Sequence, residues 1–300
     1  MVAGLVVLLA CDRTGEGEPE QTSLQTISTS QLPGFALGQV ATVQEPPAEH
    51  PIDSIDSAEL GRSFRGAVRE LWMFGEEGAP GPVIDFVLYW SAGLVNDDRS
   101  LFDLGATNDG AFLVLVLRVE GEARGDDIVE FELNGLYREP FVAGEDLAEM
   151  TARLISDGIR DIVSGLEAEA APRVSTDVGL LELLDSDEVG ELLPTIREVY
   201  RRRLATAAPQ LRALLNAGDP EIIFSAATAL GRIGDANAVG PLIDLISRDH
   251  REMTSYVLPI LGDIGTQEAR LYLETVADAH DDPLVRSQAR EVLDSMLDYR

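Results

Sequence analysis

An α+β domain followed by an all-α helical solenoid is the architecture the sequence predicts, and three observations predict it. Between Leu32 and about Pro172 the apolar residues switch between alternation, the period of a strand, and three-to-four spacing, the period of a helix. Beyond that point only helical spacing remains. The last third then repeats itself, since "SAATALGRIGDANAVGPLIDLI" and "SYVLPILGDIGTQEARLYLETV" align with an offset of 31 residues. A fixed period of this length signals stacked helix pairs. The boundaries that follow are 1–11 for a signal segment, 12–33 for a tether, 34–172 for the α+β domain and 173–300 for the solenoid.

The chain opens "MVAGLVVLLACDRTGEGEPE". Val2 to Ala10 is an unbroken apolar run of the length a signal peptide uses, ending in the small residue such a cut requires. Cys11, the only cysteine, follows at once, and Asp12 to Gln31 is rich in Gly, Glu, Ser, Thr and Gln, a composition that does not bury enough surface to fold. Leu8, Leu9, Ala10 and Cys11 resemble the lipobox of a bacterial lipoprotein signal, in which the cysteine receives the diacylglycerol. The resemblance implies that Cys11 is lipidated and that 12–33 holds the folded body off a bilayer. Asp12 directly after the cysteine is similar to an inner-membrane retention signal of enterobacterial lipoproteins. The basic start of such signals is missing here.

In the α+β part, "FALGQVATV" (Phe35–Val43) reads as a first strand. "AELGRSFRGAVRELW" then places Leu60, Phe64, Ala67, Val68, Leu71 and Trp72 on one helical face. "VIDFVLYW" (Val83–Trp90) reads as a buried strand, and "AFLVLVLRVEG" and "DIVEFELNGLYRE" as two more, with "GEARGDD" as the hairpin between them. A last helix from about Glu145 to Leu166 buries Leu147, Met150, Leu154, Ile155, Ile159, Ile162 and Val163. This order predicts helices layered against one face of a sheet. It is similar to envelope lipoprotein domains of the curli-secretion and TolB type.

In the repeats, Leu230, Gly231, Ile233 and Gly234 recur as Leu261, Gly262, Ile264 and Gly265, and Leu242, Leu245 and Ile246 recur as Leu273, Val276 and Ala277. Leu242 and Leu245 map back onto Leu211 and Leu214. Asp219-Pro220 and Asp282-Pro283 open flanking copies, the aspartate as N-cap and the proline at the first helical position. A weaker copy begins at Asp187-Glu188-Val189. The pattern resembles HEAT repeats, in particular the short bacterial kind related to the bilin lyases. The resemblance implies that the second helix of each pair lines an inner curve. On the ridge beside the core positions there, Arg212, Ile243 and Glu274 share one repeat position and Val239 and Arg270 another. An apolar centre between charges of both signs has the anatomy of a protein contact, so these five are the candidate partner-binding residues.

The charge balance bounds the partners. All 23 basic residues are arginine, and 53 acidic residues leave a formal charge of -30. Nucleic acids bind through cation neutralisation of phosphates, so no nucleic-acid partner is expected. Without lysine every lysine mechanism is excluded, and no phosphate loop, nucleophile elbow or zinc-binding motif occurs. "HDDP" (His280–Pro283), "NDD" (Asn96–Asp98) and "DSDE" (Asp185–Glu188) read as caps and turns rather than metal loops, and Arg201–Arg203 as a solvated helix face. Neither catalysis, metal nor cofactor is expected. Two functions remain open: a lipid-anchored envelope scaffold that binds another protein through its solenoid, or an oligomerising structural subunit of an envelope transport or secretion assembly.

Replacing Cys11 with Ser is expected to leave the protein unprocessed or in the soluble fraction, because several acyl chains hold a protein on a bilayer where one chain holds it weakly. Fractionation and intact-mass measurement check this. An unchanged membrane fraction contradicts the assignment of Cys11.

Overall fold

The computed structural model describes residues 34–45, 50–52, 55–76, 78–96, 111–125, 129–141, 146–248 and 250–298. Cys11 and the tether 12–33 lie outside the described residues. The strands are β1 (Phe35–Gln44), β2 (His50–Pro51), β3 (Phe74–Gly75), β4 (Val83–Asn96), β5 (Ala111–Ala123) and β6 (Glu130–Phe141). Helices α1 (Ser57–Arg69) and α2 (Leu147–Val174) complete the N-terminal part. The rest is α3 (Asp177–Leu183), α4 (Val189–Arg202), α5 (Ala208–Leu214), α6 (Pro220–Ile233), α7 (Val239–Arg248), α8 (His250–Ile264), α9 (Gln267–Ala279) and α10 (Pro283–Asp298). None of the described helices is long and apolar enough to cross a membrane.

The sheet runs β3-β1-β4-β5-β6, with β2 on β4. β1 pairs in parallel with β3 and β4, whereas β4, β5 and β6 form antiparallel pairs. Alternation decides which face is covered. Ile84, Phe86, Leu88 and Trp90 of β4 and Leu113, Leu115, Leu117 and Val119 of β5 are buried. They join Leu60, Phe64 and Val68 of α1 and Met150, Leu154, Ile162 and Leu166 of α2 in one core. Both helices start on an aspartate N-cap, Asp56 accepting from the Ala58 N–H and Asp146 from that of Ala148. The Trp90 indole N–H donates to Ser57 Oγ at 3.2 Å and the Tyr137 hydroxyl to Asp161 at 2.9 Å, which fix α1 and α2 respectively to the sheet. Two expectations shift. Leu71 and Trp72 fall beyond the end of α1, and Trp72 is exposed because the helix has already stopped.

The second shift is larger. α2 runs 28 residues and ends at Val174, eight residues past the expected Leu166. Ala170, Ala171 and Pro172 of this extension are buried, with α4 packed alongside. The expected boundary at 172/173 therefore falls inside α2, whose core residues belong to the sheet domain while α4 of the solenoid packs alongside its end.

In the repeats the caps form as read. Asp219 accepts from the Glu221 and Ile222 N–H groups, and Asp282 from that of Leu284. Gly234 and Gly265 take positive φ (75° and 68°), the left-handed turn that ends α6 and α8. Gly231 and Gly262 do a different job. A Cβ on Gly231 would lie 2.9 Å from a methyl of Ile260, and one on Gly262 2.4 Å from a methyl of Val292, so each glycine admits the next repeat's helix. The register reaches further than the sequence reading took it, since Val199, Leu230, Leu261 and Val292 stand at successive intervals of 31 residues and all are buried.

The same register exposes an exception. Glu198, only 5% exposed, occupies the position held by the buried Ala229 and Ile260 in the next two units. Because Ile260 faces the preceding helix, α6, through Gly231, Glu198 by analogy faces α2. It accepts at 2.6 Å from both Arg201 and Arg202. Arg202 in turn donates to the main-chain oxygens of Ser175 (2.8 Å), Arg173 (3.1 Å) and Pro172 (3.3 Å) at the C-terminal end of α2. The arginine run is thus no uniform solvated face. Arg202 closes the junction, and Arg203 adopts φ 52° where the later repeats place Gly234 and Gly265.

Burial pushes the Glu198 carboxyl up, but the hydrogen bonds from Arg201 and Arg202 outweigh it and hold the pKa below its usual value. A lowered folded-state pKa stabilises the fold above the unfolded value, about 4.3, and that contribution disappears as pH falls through the folded value. Glu198→Ala is expected to cost about 2 kcal/mol at neutral pH, since it removes the buried partner of Arg202 and leaves only the more exposed Asp177, at 3.4 Å, to offset its charge. In urea titrations the gap between variant and wild type should narrow as pH drops below about 4. A gap that does not change with pH contradicts the ionised junction.

Candidate functional site

The five candidate contact residues do not form one surface. Val239 is 0% exposed, in the core beside Ala238 and Leu242. Ile243 is partly buried against the same core. The reason is helical geometry: 239, 242, 243 and 246 have the i, i+3, i+4, i+7 spacing of a single buried stripe, so the expected apolar centre is the stripe's own edge. Arg212 forms an ion pair with Asp235, which also accepts from the Asn237 N–H before α7. It therefore braces α5 against the turn after α6.

Arg270 and Glu274 do reach the surface, paired with each other at 3.0 Å across one turn of α9. Between them stands Leu271, 56% exposed. The three border a concavity of about 1020 Å³ that also takes in Arg232, Pro259 and Met296. An exposed leucine beside a charged pair over a hollow is an arrangement that seats a partner's apolar side chain and orients it by charge. Leu271 was missed in the sequence reading, although the repeat register carries a signal for it. The equivalent positions are Gly240 and Pro209, so leucine there has no counterpart in the other units.

Exposed aromatic residues add to the surface of the first helices. Phe224 of α6 and Tyr256 of α8 meet edge to face at 5.0 Å, and the Arg232 guanidinium lies 5.6 Å from the Tyr200 ring of α4. His280 accepts from the Asp282 N–H, within the turn between α9 and α10. Among the described residues no group of three or more His, Cys, Asp or Glu side chains is arranged to hold a metal.

Residues 208–294 match the family model for HEAT repeats. The match runs from the start of α5 into α10, so the HEAT segment contains Arg212, Val239, Ile243, Arg270 and Glu274 and the hollow around Leu271. No curated protein matches the chain. Among solved structures, the rare lipoprotein B of Shewanella oneidensis is similar at 18% identity and a TM-score of 0.28, over 46% of this chain and 97% of that one. A putative lipoprotein from Caulobacter crescentus CB15 is similar at 14% identity and a TM-score of 0.25, over 46% and 93%.

Two substitutions separate core from surface in the HEAT segment. Ile243→Asp is expected to destabilise by about 1–3 kcal/mol, because a carboxylate replaces an apolar contact of the core. Leu271→Asp should stay within about 0.5 kcal/mol of wild type. Thermal unfolding followed by circular dichroism compares them, and equal effects contradict the assignment.

Proposed function

We propose that this chain is a lipid-anchored scaffold of the cell envelope that binds another protein through its HEAT segment. The observation that carries the reading is the hollow beside Arg270, Leu271 and Glu274, because it joins an exposed apolar side chain to oriented charge on a repeat architecture that binds through extended surfaces. The envelope location is supported by the apolar run ending at Cys11 and the unfoldable composition that follows it. A photocrosslinking residue placed at Leu271 in the native cells is expected to yield a discrete protein adduct, identified by mass spectrometry. The same residue at exposed Leu284, outside the hollow, serves as the reference. Equal labelling from both positions, or none from Leu271 in a folded protein, contradicts the reading.

One observation favours the second function, an oligomerising structural subunit. β6 is a 12-residue edge strand whose second edge pairs with no described strand, and such an edge is a template for strand addition by another chain. The mass of the mature protein in solution decides between them. A monomer favours the scaffold, and a closed ring favours the assembly subunit.

A further inference from the structure

α1 and α2 cover the same face of the sheet, yet a groove of about 760 Å³ remains between them. Leu60, Leu71, Ile155, Ile159 and Val163 give it an apolar floor. Along α2 its lining positions run 148, 151, 152, 155, 156, 159, 160, 163, 164 and 167, one continuous helical stripe. At 1.5 Å per residue that stripe is about 29 Å long. Several of its residues are small, Ala148, Ala152, Ser156 and Ser164, which keeps the wall low enough for another backbone to approach.

The rim is acidic. Asp56, paired with Arg62 at 3.6 Å, and Glu59, Glu70 and Glu167 stand around the groove, and its one lining cation, Arg160, already meets Asp157 at 2.8 Å. Glu59, Glu70 and Glu167 are exposed and form no ion pair among the described residues. An apolar trough of helical length edged by unmatched carboxylates selects its occupant by charge. A second copy of this chain, at -30 and without lysine, brings like charge. So does the segment after Cys11, with Asp12, Glu16, Glu18 and Glu20 against Arg13. An anionic lipid headgroup is repelled in the same way.

We propose that the groove between α1 and α2 holds the apolar face of a cationic amphipathic helix supplied by a partner protein. The helix lays apolar residues at i, i+3, i+4 and i+7 onto the floor, and its flanking lysines or arginines reach the carboxylates on both rims. This surface is separate from the hollow on the HEAT segment and does not depend on it.

The test uses the full chain and a labelled amphipathic peptide of about 18 residues, five helical turns, built from Leu and Lys, with a Leu/Glu peptide of the same pattern as reference. Fluorescence anisotropy is expected to show saturable one-to-one binding of the Lys peptide and none of the Glu peptide. Ala152→Trp and, on the opposite wall, Ser63→Trp fill the groove while leaving every charge in place, and both positions are exposed. Each should weaken binding about tenfold or more. The triple variant Glu59→Gln, Glu70→Gln, Glu167→Gln should weaken it similarly while keeping the shape. Binding that survives both tryptophan variants, in proteins that melt like wild type, overturns the proposal, because the peptide is then held by the general negative charge. Equal binding of the two peptides, or a dimer that closes the groove and is broken by Ala152→Trp, overturns it as well.

Discussion

The last turn of α2 leaves carbonyl groups that no N–H of its own helix can reach, and the guanidinium of Arg202 takes those of Pro172, Arg173 and Ser175. Glu198 fixes that guanidinium from behind. Buried ion pairs often stabilise no more than apolar side chains of the same volume would, whereas losing one partner costs about 3–5 kcal/mol. The pair is therefore better explained by geometry than by net stability: it sets where the first solenoid helix sits on α2. Every later repeat inherits that placement, because each packs on the one before it. α2 thus acts as the final helix of the sheet domain and as the N-terminal cap of the solenoid.

Much of this was legible in the sequence. Alternation located β1, β4, β5 and β6, and the 31-residue offset located the helix pairs together with the roles of Asp219, Gly234 and Gly265. What stayed hidden has a common physical cause, namely that tertiary packing overrode a local signal. "EAEAAP" reads as the end of a helix, yet α4 packs beside Ala170, Ala171 and Pro172 and keeps α2 helical to Val174. Val239 looked like a ridge residue because periodicity alone does not locate the edge of a buried arc. The parallel pairing of β1 with β4 has no local signature. The groove lies between helices nearly a hundred residues apart in the chain, so no window of sequence contains both of its walls. Two hidden features had a readable sign in the register: Glu198, a charge where it puts Ala229 and Ile260, and Leu271, a leucine where it puts Gly240 and Pro209.

The sheet domain and the solenoid are joined through a continuous helix, so the acidic groove on one and the charged hollow on the other are carried by one body. If both proposed surfaces are occupied, that body holds their two partners in a fixed relation. Two carboxylates with lowered pKa values act as braces within that body. Asp85 is held low by Arg124 and the Gln39 N–H beside a bulge in β1, and Glu198 by the arginines of the junction.

The central claim is that α2 couples the two parts into one cooperative unit, and the two tryptophans allow it to be measured. Trp72 and Trp90 both belong to the sheet domain, and the solenoid has none. Far-ultraviolet circular dichroism is dominated by the helices beyond α2. Thermal unfolding followed by both signals should give coincident transitions. A tryptophan transition separate from the loss of helix would show two independently folding bodies and contradict the account.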